Sequence, residues 1–167
     1  FFKIIMSENN PILIEDVFEV KNINSDYEKE GLKNNKFDRV SRIEGDSENY
    51  EMNIVLDINT EIYKVAINNR LKIVIANSID DQTPEMKHKY KPHYQYDSSS
   101  LINDYDYVVS GKLYQYKSES EGKASIYISF GGLLMRLTGD PRNMAYDRMS
   151  TNQTLYLLIR KTESMKD

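Results

Sequence analysis

His88 and His93 are the only imidazoles in the chain, so any acid–base chemistry or metal ligation near neutral pH would start with them. They lie in a polar stretch with Tyr90, Tyr94, Tyr96, Pro84 and Pro92. Their spacing does not stack two ligands on one helical face, and no carboxylate pattern completes a metal site around them. A Ser-His-Asp constellation needs a rigid scaffold to hold its geometry, which this stretch does not offer. Surface histidines in a loop are the expectation; a small hydrolase would need one of them buried and positioned. With no cysteine, thiolate ligands, cysteine nucleophiles and disulfides drop out. Gly131-Gly132 has too few glycines to cradle a phosphate, and Asp80-Asp81 sits where solvation explains it. The residues point to no catalytic group, no metal and no cofactor.

Two other stretches could bind rather than react. Lys33, Lys36, Arg39 and Arg42, broken only by Asp38, give +3 between residues 33 and 43. On a strand, Arg39 shares a face with residues 37, 41 and 43, while Arg42 faces the other way with Asp38 and Val40. Phe37 and Tyr50 are read as aromatic neighbours able to stack on a base, as in barrels that bind single strands. An ordinary solvated, partly ion-paired strand with a core Phe accounts for the same residues. The net charge of −4, from 22 Lys+Arg against 26 Asp+Glu, favours that plainer account over strong nucleic-acid binding.

The second stretch is Ser129 to Asp140, SFGGLLMRLTGD. Paired glycines in a strand-like run mark a bulge, a sharp bend or a close backbone approach. After them Leu133, Met135 and Leu137 share one face, and Leu134 and Arg136 the other. Such a strand is expected to be buried on both sides, under another part of the same domain or under a second protein. Gly131, Gly132, Leu134, Met135 and Arg136 are the candidate partner contacts.

The elements that position these residues are strands. Tyr50, Met52, Ile54, Leu56 and Ile58 alternate with Glu51, Asn53 and Asp57, the pattern of a half-buried antiparallel strand. Similar runs are Ile12 to Val20, Phe37 to Ile43, Leu71 to Ala76, Tyr105 to Tyr116, Ala124 to Phe130, Leu133 to Thr138 and Leu155 to Lys161, with a short Ile62 to Val65 segment between two of them. Glu44-Gly45-Asp46, Asn68-Asn69 and Glu121-Gly122 read as turns. Asp140 to Arg148 has room for a helical turn or two. Seven or eight short strands at hairpin spacing predict an all-β barrel or sandwich. Asn24 to Asn35 reads as a polar loop, and Ile79 to Asn103, with Ser98 to Ser100, as a long central one.

The chain has 167 residues, of which 40% are hydrophobic and 29% charged. That composition excludes a disordered tail, and no apolar run approaches the roughly 18 residues that cross a bilayer. Phe1-Phe2-Lys3-Ile4-Ile5 reads as an extension upstream of Met6 and lacks the form of a signal peptide.

Several segments together resemble the eighth subunit of the nuclear DNA-directed RNA polymerases, the small subunit common to polymerases I, II and III. They are Glu15-Asp16-Val17-Phe18-Glu19-Val20-Lys21, Lys36-Phe37-Asp38-Arg39-Val40-Ser41-Arg42, and the glycine-led run from Gly131 to Asp140. Asp57-Ile58-Asn59, Glu61-Ile62-Tyr63 and Tyr156-Leu157-Leu158 add to them. The resemblance covers about residues 12 to 161. It implies an all-β, eight-stranded antiparallel barrel of two OB-like halves, about 12–76 and 104–161, joined by a variable loop at 77–103. Residues 1–11 would form an N-terminal extension and 162–167 a tail. It further implies a noncatalytic nuclear subunit that docks on the largest polymerase subunit, contacts other subunits and supports assembly. Weak, nonspecific contact with single-stranded DNA through Lys36, Phe37, Arg39 and Arg42 is implied by position. An autonomous single-strand-binding module is the alternative. Two departures stand out: a first loop lengthened by Asn24 to Asn35, with Asp26, Glu28 and Glu30 diluting the basic stretch, and a central loop rich in Tyr and Lys.

Overall fold

Alternation of inward apolar and outward polar side chains runs through eight strands of the computed structural model, which describes residues 10–24, 39–79 and 101–162. They are β1 (Ile12–Ile23), β2 (Val40–Ser47), β3 (Asn53–Asn59), β4 (Arg70–Ala76), β5 (Tyr107–Ser118), β6 (Ala124–Phe130), β7 (Leu133–Gly139) and β8 (Thr154–Lys161). They close in the order β1-β2-β3-β7-β6-β5-β8-β4, and every neighbouring pair is antiparallel. Closure leaves no free sheet edge, and an eight-stranded interior is just wide enough for side chains to fill. Phe18, Ile43, Leu56, Leu71, Ile126 and Ile128 fill it, each at most 1% exposed. The expected barrel is therefore formed, and a sandwich is excluded.

The two longest strands do the turning. β1 and β5 have 12 residues each and change register at bulges, between Val20 and Asn22 against β2, and between Leu113 and Gln115 against β6. A bulge adds local twist and lets one strand pair with different neighbours along its length. Between strands, the helical segments among the described residues are short 3-10 turns at Leu101–Asp104, Ser120–Gly122, Pro141–Asn143 and Tyr146–Arg148. Two of these fill the Asp140 to Arg148 stretch where helical turns were expected. The Asp140 carboxylate accepts from the Arg142 N–H to cap the first of them.

Three expectations need correction. Glu44-Gly45-Asp46 is not a turn but lies inside β2, and the hairpin turn falls at 48–52. Gly45 is wanted there because β1 packs close: a Cβ at this position would stand 2.9 Å from the Glu19 carbonyl oxygen. The Ile62 to Val65 segment forms no strand and belongs to the β3–β4 connection. The strands buried on both faces are β4 and β8, not β7. Val74, Ala76 and Leu158 point outward yet are fully buried under Leu101, Ile102 and Tyr105, which arrive just before β5.

Tyr63, in the β3–β4 connection, seals one end of the core, its ring 5.5 Å from that of Tyr107. Burial, with the Asp106 charge second, pushes its phenol up to about 12. The unfolded phenol ionises near 10, so the folded state holds this proton more tightly. The associated stability is complete below pH 10 and is lost as pH rises through 12. Burial also raises the phenols of Tyr107 and Tyr116, so the expected ultraviolet titration shows a late phase whose last step, at about 12, is removed by Tyr63→Phe. Loss of the late step in no variant but Tyr107→Phe would reassign it.

Candidate functional site

Gly131 and Gly132 make a two-residue turn between β6 and β7, closed by the pair Phe130 and Leu133. Their φ angles of 63° and 99° are both left-handed, which suits the turn whose twist matches a hairpin and which side-chain-bearing residues adopt only with strain. A Cβ on either would meet nothing within 4 Å, so the tip of the turn is open.

β7 then alternates. Met135 and Leu137 point into the barrel at 1% exposure, while Leu134, 39% exposed, and Arg136 point out. Nothing in the described chain covers this outer face, so burial of β7 on both sides is not seen. Met135 is a core residue, and its side chain offers nothing to a partner.

β3 pairs with β7 only over Asn53–Leu56 against Thr138–Met135. Past that point Asp57 takes over from the backbone ladder. Its Oδ2 accepts the Leu134 N–H at 3.0 Å, while Arg42 of β2 donates through Nε to Oδ1 at 2.7 Å and through Nη2 to Oδ2 at 3.2 Å. The Asp57 side chain is 8% exposed. One carboxylate thus ties β2, β3 and β7 together, in the paired geometry that makes Arg–carboxylate contacts strong.

This arrangement occupies Arg42. Arg39 stands just before β2, its Nε 3.7 Å from Glu61, both well exposed. Lys36 and Phe37 lie outside the described residues, as do His88 and His93. Tyr50 is half-exposed at the β2–β3 turn, at the far end of that hairpin from Arg39. The basic stretch is therefore partly spent on ion pairs, and its aromatic companion stands elsewhere.

Around Leu134 and Arg136 the outer face carries residues that sequence reasoning passed over. Arg136 lies between Val55 of β3 and Tyr127 of β6 in the ladder. Tyr127 packs against the half-exposed Tyr114 of β5, with ring centroids 6.0 Å apart. With Arg42 and Glu44 these residues line a depression of about 340 Å3. Tyr127 was findable, since it alternates with Ile126 and Ile128. Tyr114 was not, because the bulge beside it breaks the alternation. Among the described residues no cluster of His, Cys, Asp or Glu is placed to hold a metal ion.

The family model for RNA polymerase Rpb8 matches residues 15–161. The chain belongs to the RNA polymerase Rpb8 family. It is 42% identical over 152 residues to "DNA-directed RNA polymerases I, II, and III subunit rpabc3" of Dictyostelium discoideum, covering 90% of this chain and 97% of that one. It is 38% identical to "DNA-directed RNA polymerases II, IV and V subunit 8B" of Arabidopsis thaliana, over 92% of this chain and 98% of that one. A Saccharomyces cerevisiae relative, "DNA-directed RNA polymerases I, II, and III subunit RPABC3", is 34% identical over 89% and 97%. Two of the segments that carry the family resemblance meet in space: the Asp57 carboxylate of one holds the Leu134 amide of the other.

Proposed function

We propose that the chain is a noncatalytic subunit shared by the nuclear DNA-directed RNA polymerases I, II and III, docking on the largest subunit and supporting assembly. The observation that carries the reading is the family match across nearly the whole barrel, together with the names of the relatives. The Arabidopsis relative is named for a different set of polymerases, so the sharing itself is part of what must be measured. The contact is assigned to the outer face of β7, with Leu134 and Arg136 as anchors and the open Gly131-Gly132 tip beside them. Arg and Tyr are enriched among the residues that dominate binding energy, and Arg136 stands directly across from Tyr127, which packs on Tyr114.

Affinity purification of the tagged full chain from its own cells, followed by mass spectrometry, is the test. Recovery of the largest subunits of all three polymerases is expected. Leu134→Ser and Arg136→Ala are each expected to lower that recovery about tenfold, the effect of roughly 1.4 kcal/mol, with unchanged melting temperature. Gly132→Val is a poorer probe because its left-handed backbone makes it a folding variant as well. Polymerase-free recovery, with micromolar binding of short oligonucleotides at physiological salt, would instead favour the single-strand-binding module.

A further inference from the structure

Lys21, Arg39, Arg42, Arg70, Lys72 and Arg142 each stand within ion-pair distance of a carboxylate, while Lys64, Lys123, Arg148, Arg160 and Lys161 meet none among the described residues. What sets the outer face of β5, β6 and β7 apart is three exposed cations gathered around one depression. Its outward positions include no Asp or Glu at all, but they include Lys112, Lys117 and Arg136, all exposed. None of these three meets a carboxylate among the described residues.

Register fixes how they are arranged. Lys112 sits across from Ser129, and Lys117 across from Ser125, so the two lysines bracket the Tyr114–Tyr127 pair along β5. Arg136 stands two strands away, directly across from Tyr127. With strands about 4.8 Å apart and about 3.4 Å per residue along them, each lysine starts roughly 12 Å from Arg136. Arg136 thus lines the depression over Val55, Tyr127 and Leu134, whose wall toward β2 carries Glu44 and Arg42, and the two lysines flank it on the β5 side. Toward β2 the same face changes sign, with Glu44 and Asp46 outward.

We infer that the surface received here is an acidic patch of a polymerase subunit, with one apolar side chain seated between Leu134 and Tyr127 and carboxylates reaching Lys112, Lys117 and Arg136. The inference rests on the subunit reading above and adds to it the chemistry of the partner. Exposed like charges about 12 Å apart are largely screened, so the bare face costs little by itself. Covering it with a neutral surface would leave three cations unpaired, whereas carboxylates of an anionic partner pair with them. The sign change toward β2 sets the orientation, since a partner docked in reverse would bring its acids onto Glu44 and Asp46. A nucleic-acid strand fits less well. Tyr114 and Tyr127 already pack on each other, the centre of the face is aliphatic, and a polyanion crossing it would run onto those acids.

The test uses the tagged full chain in cells, recovered with its polymerase. A zero-length carbodiimide, which joins lysine amines to carboxylates already in contact, is applied to the complex. Lys112 or Lys117 joined to Asp or Glu of a polymerase subunit is the expected product. Arg136→Glu is expected to lower retained polymerase roughly tenfold or more and to make the remainder more salt-sensitive, while Lys64→Glu, the same charge change on the exposed β3–β4 connection, leaves it unchanged. If the parent recovers polymerase but neither lysine cross-links and Arg136→Glu is retained equally, the acidic-partner inference fails and the subunit reading stands. Release of the chain by nuclease would replace the protein partner with nucleic acid. Failure of the parent to recover any polymerase would sink both readings.

Discussion

Gly111→Ala is expected to lower the melting temperature by roughly 6–12 °C, the largest effect of a Gly→Ala change among the described glycines. Gly111 lies on β5, paired with Leu155 of β8 and one residue before the pairing with β6 begins at Lys112 and Ser129. A Cβ there would collide with the Ser129 carbonyl oxygen and stand 2.6 Å from Phe130 Cδ1 and 2.9 Å from the Ser129 carbonyl carbon. Two of those atoms are backbone, and the Ser129 strand is held on its other side by β7. Neither strand can retreat without breaking a ladder, so the methyl acts as overpacking that no rotamer relieves. Such insertions cost about 3 kcal/mol when the surroundings are fixed. In a domain of this size each kcal/mol moves the midpoint by roughly 2–4 °C. Thermal melting followed by circular dichroism reads the result, with Ser110→Ala as the neighbouring control. A Gly111→Ala midpoint level with the control would mean the two strands do not approach as described.

Asp57→Ala is expected to destabilise the barrel by about 2–3 kcal/mol and to loosen β7 at its start. The substitution removes the acceptor of the Leu134 amide and the carboxylate on which Arg42 closes. Breaking a fully buried pair costs about 3–5 kcal/mol, and the effect here falls at or just below the bottom of that range because Arg42, at 31% side-chain exposure, can turn toward water. Asp57→Asn keeps an acceptor for Leu134 and should lose about half as much. Arg42→Ala, Asp57→Ala and the double variant form a cycle whose coupling term should be at least about 1 kcal/mol. Hydrogen exchange supplies the local reading: the Leu134 amide should exchange roughly tenfold faster in Asp57→Ala, the equivalent of one lost hydrogen bond. Unchanged exchange at Leu134 would show that water replaces the carboxylate without loss, and the strut across β2, β3 and β7 would be incidental. Because Leu134 is also a proposed anchor, the same variant should weaken incorporation into polymerase.

Strand positions were legible because alternation is local. Met52, Ile54, Leu56 and Ile58 declare their inward face within one short run, and each is at most 2% exposed in the barrel. The same logic placed Asp57 rightly on the outer face with Asn53 but gave no sign that it is buried there, since its partners Arg42 and Leu134 come from β2 and β7, at sequence separations of 15 and 77. It misread Gly45 as a turn because composition does not distinguish a glycine that bends the chain from one that admits a neighbouring strand. The bulge between Leu113 and Gln115 hid Tyr114, by adding a residue that alternation cannot count.

By itself, then, the sequence determined the all-β class, where most strands lie, the inward face of those with clean alternation, and through its motifs the family, whose resemblance implied the eight-stranded barrel. Only the tertiary structure decided which outer faces are covered. β4 and β8 lie under Leu101, Ile102 and Tyr105, whereas β7 lies between β3 and β6 with its outer row bare. A residue's facing follows from the two-residue period of its own strand. What lies over that face depends on strand order and on segments distant in the chain, which no local period encodes.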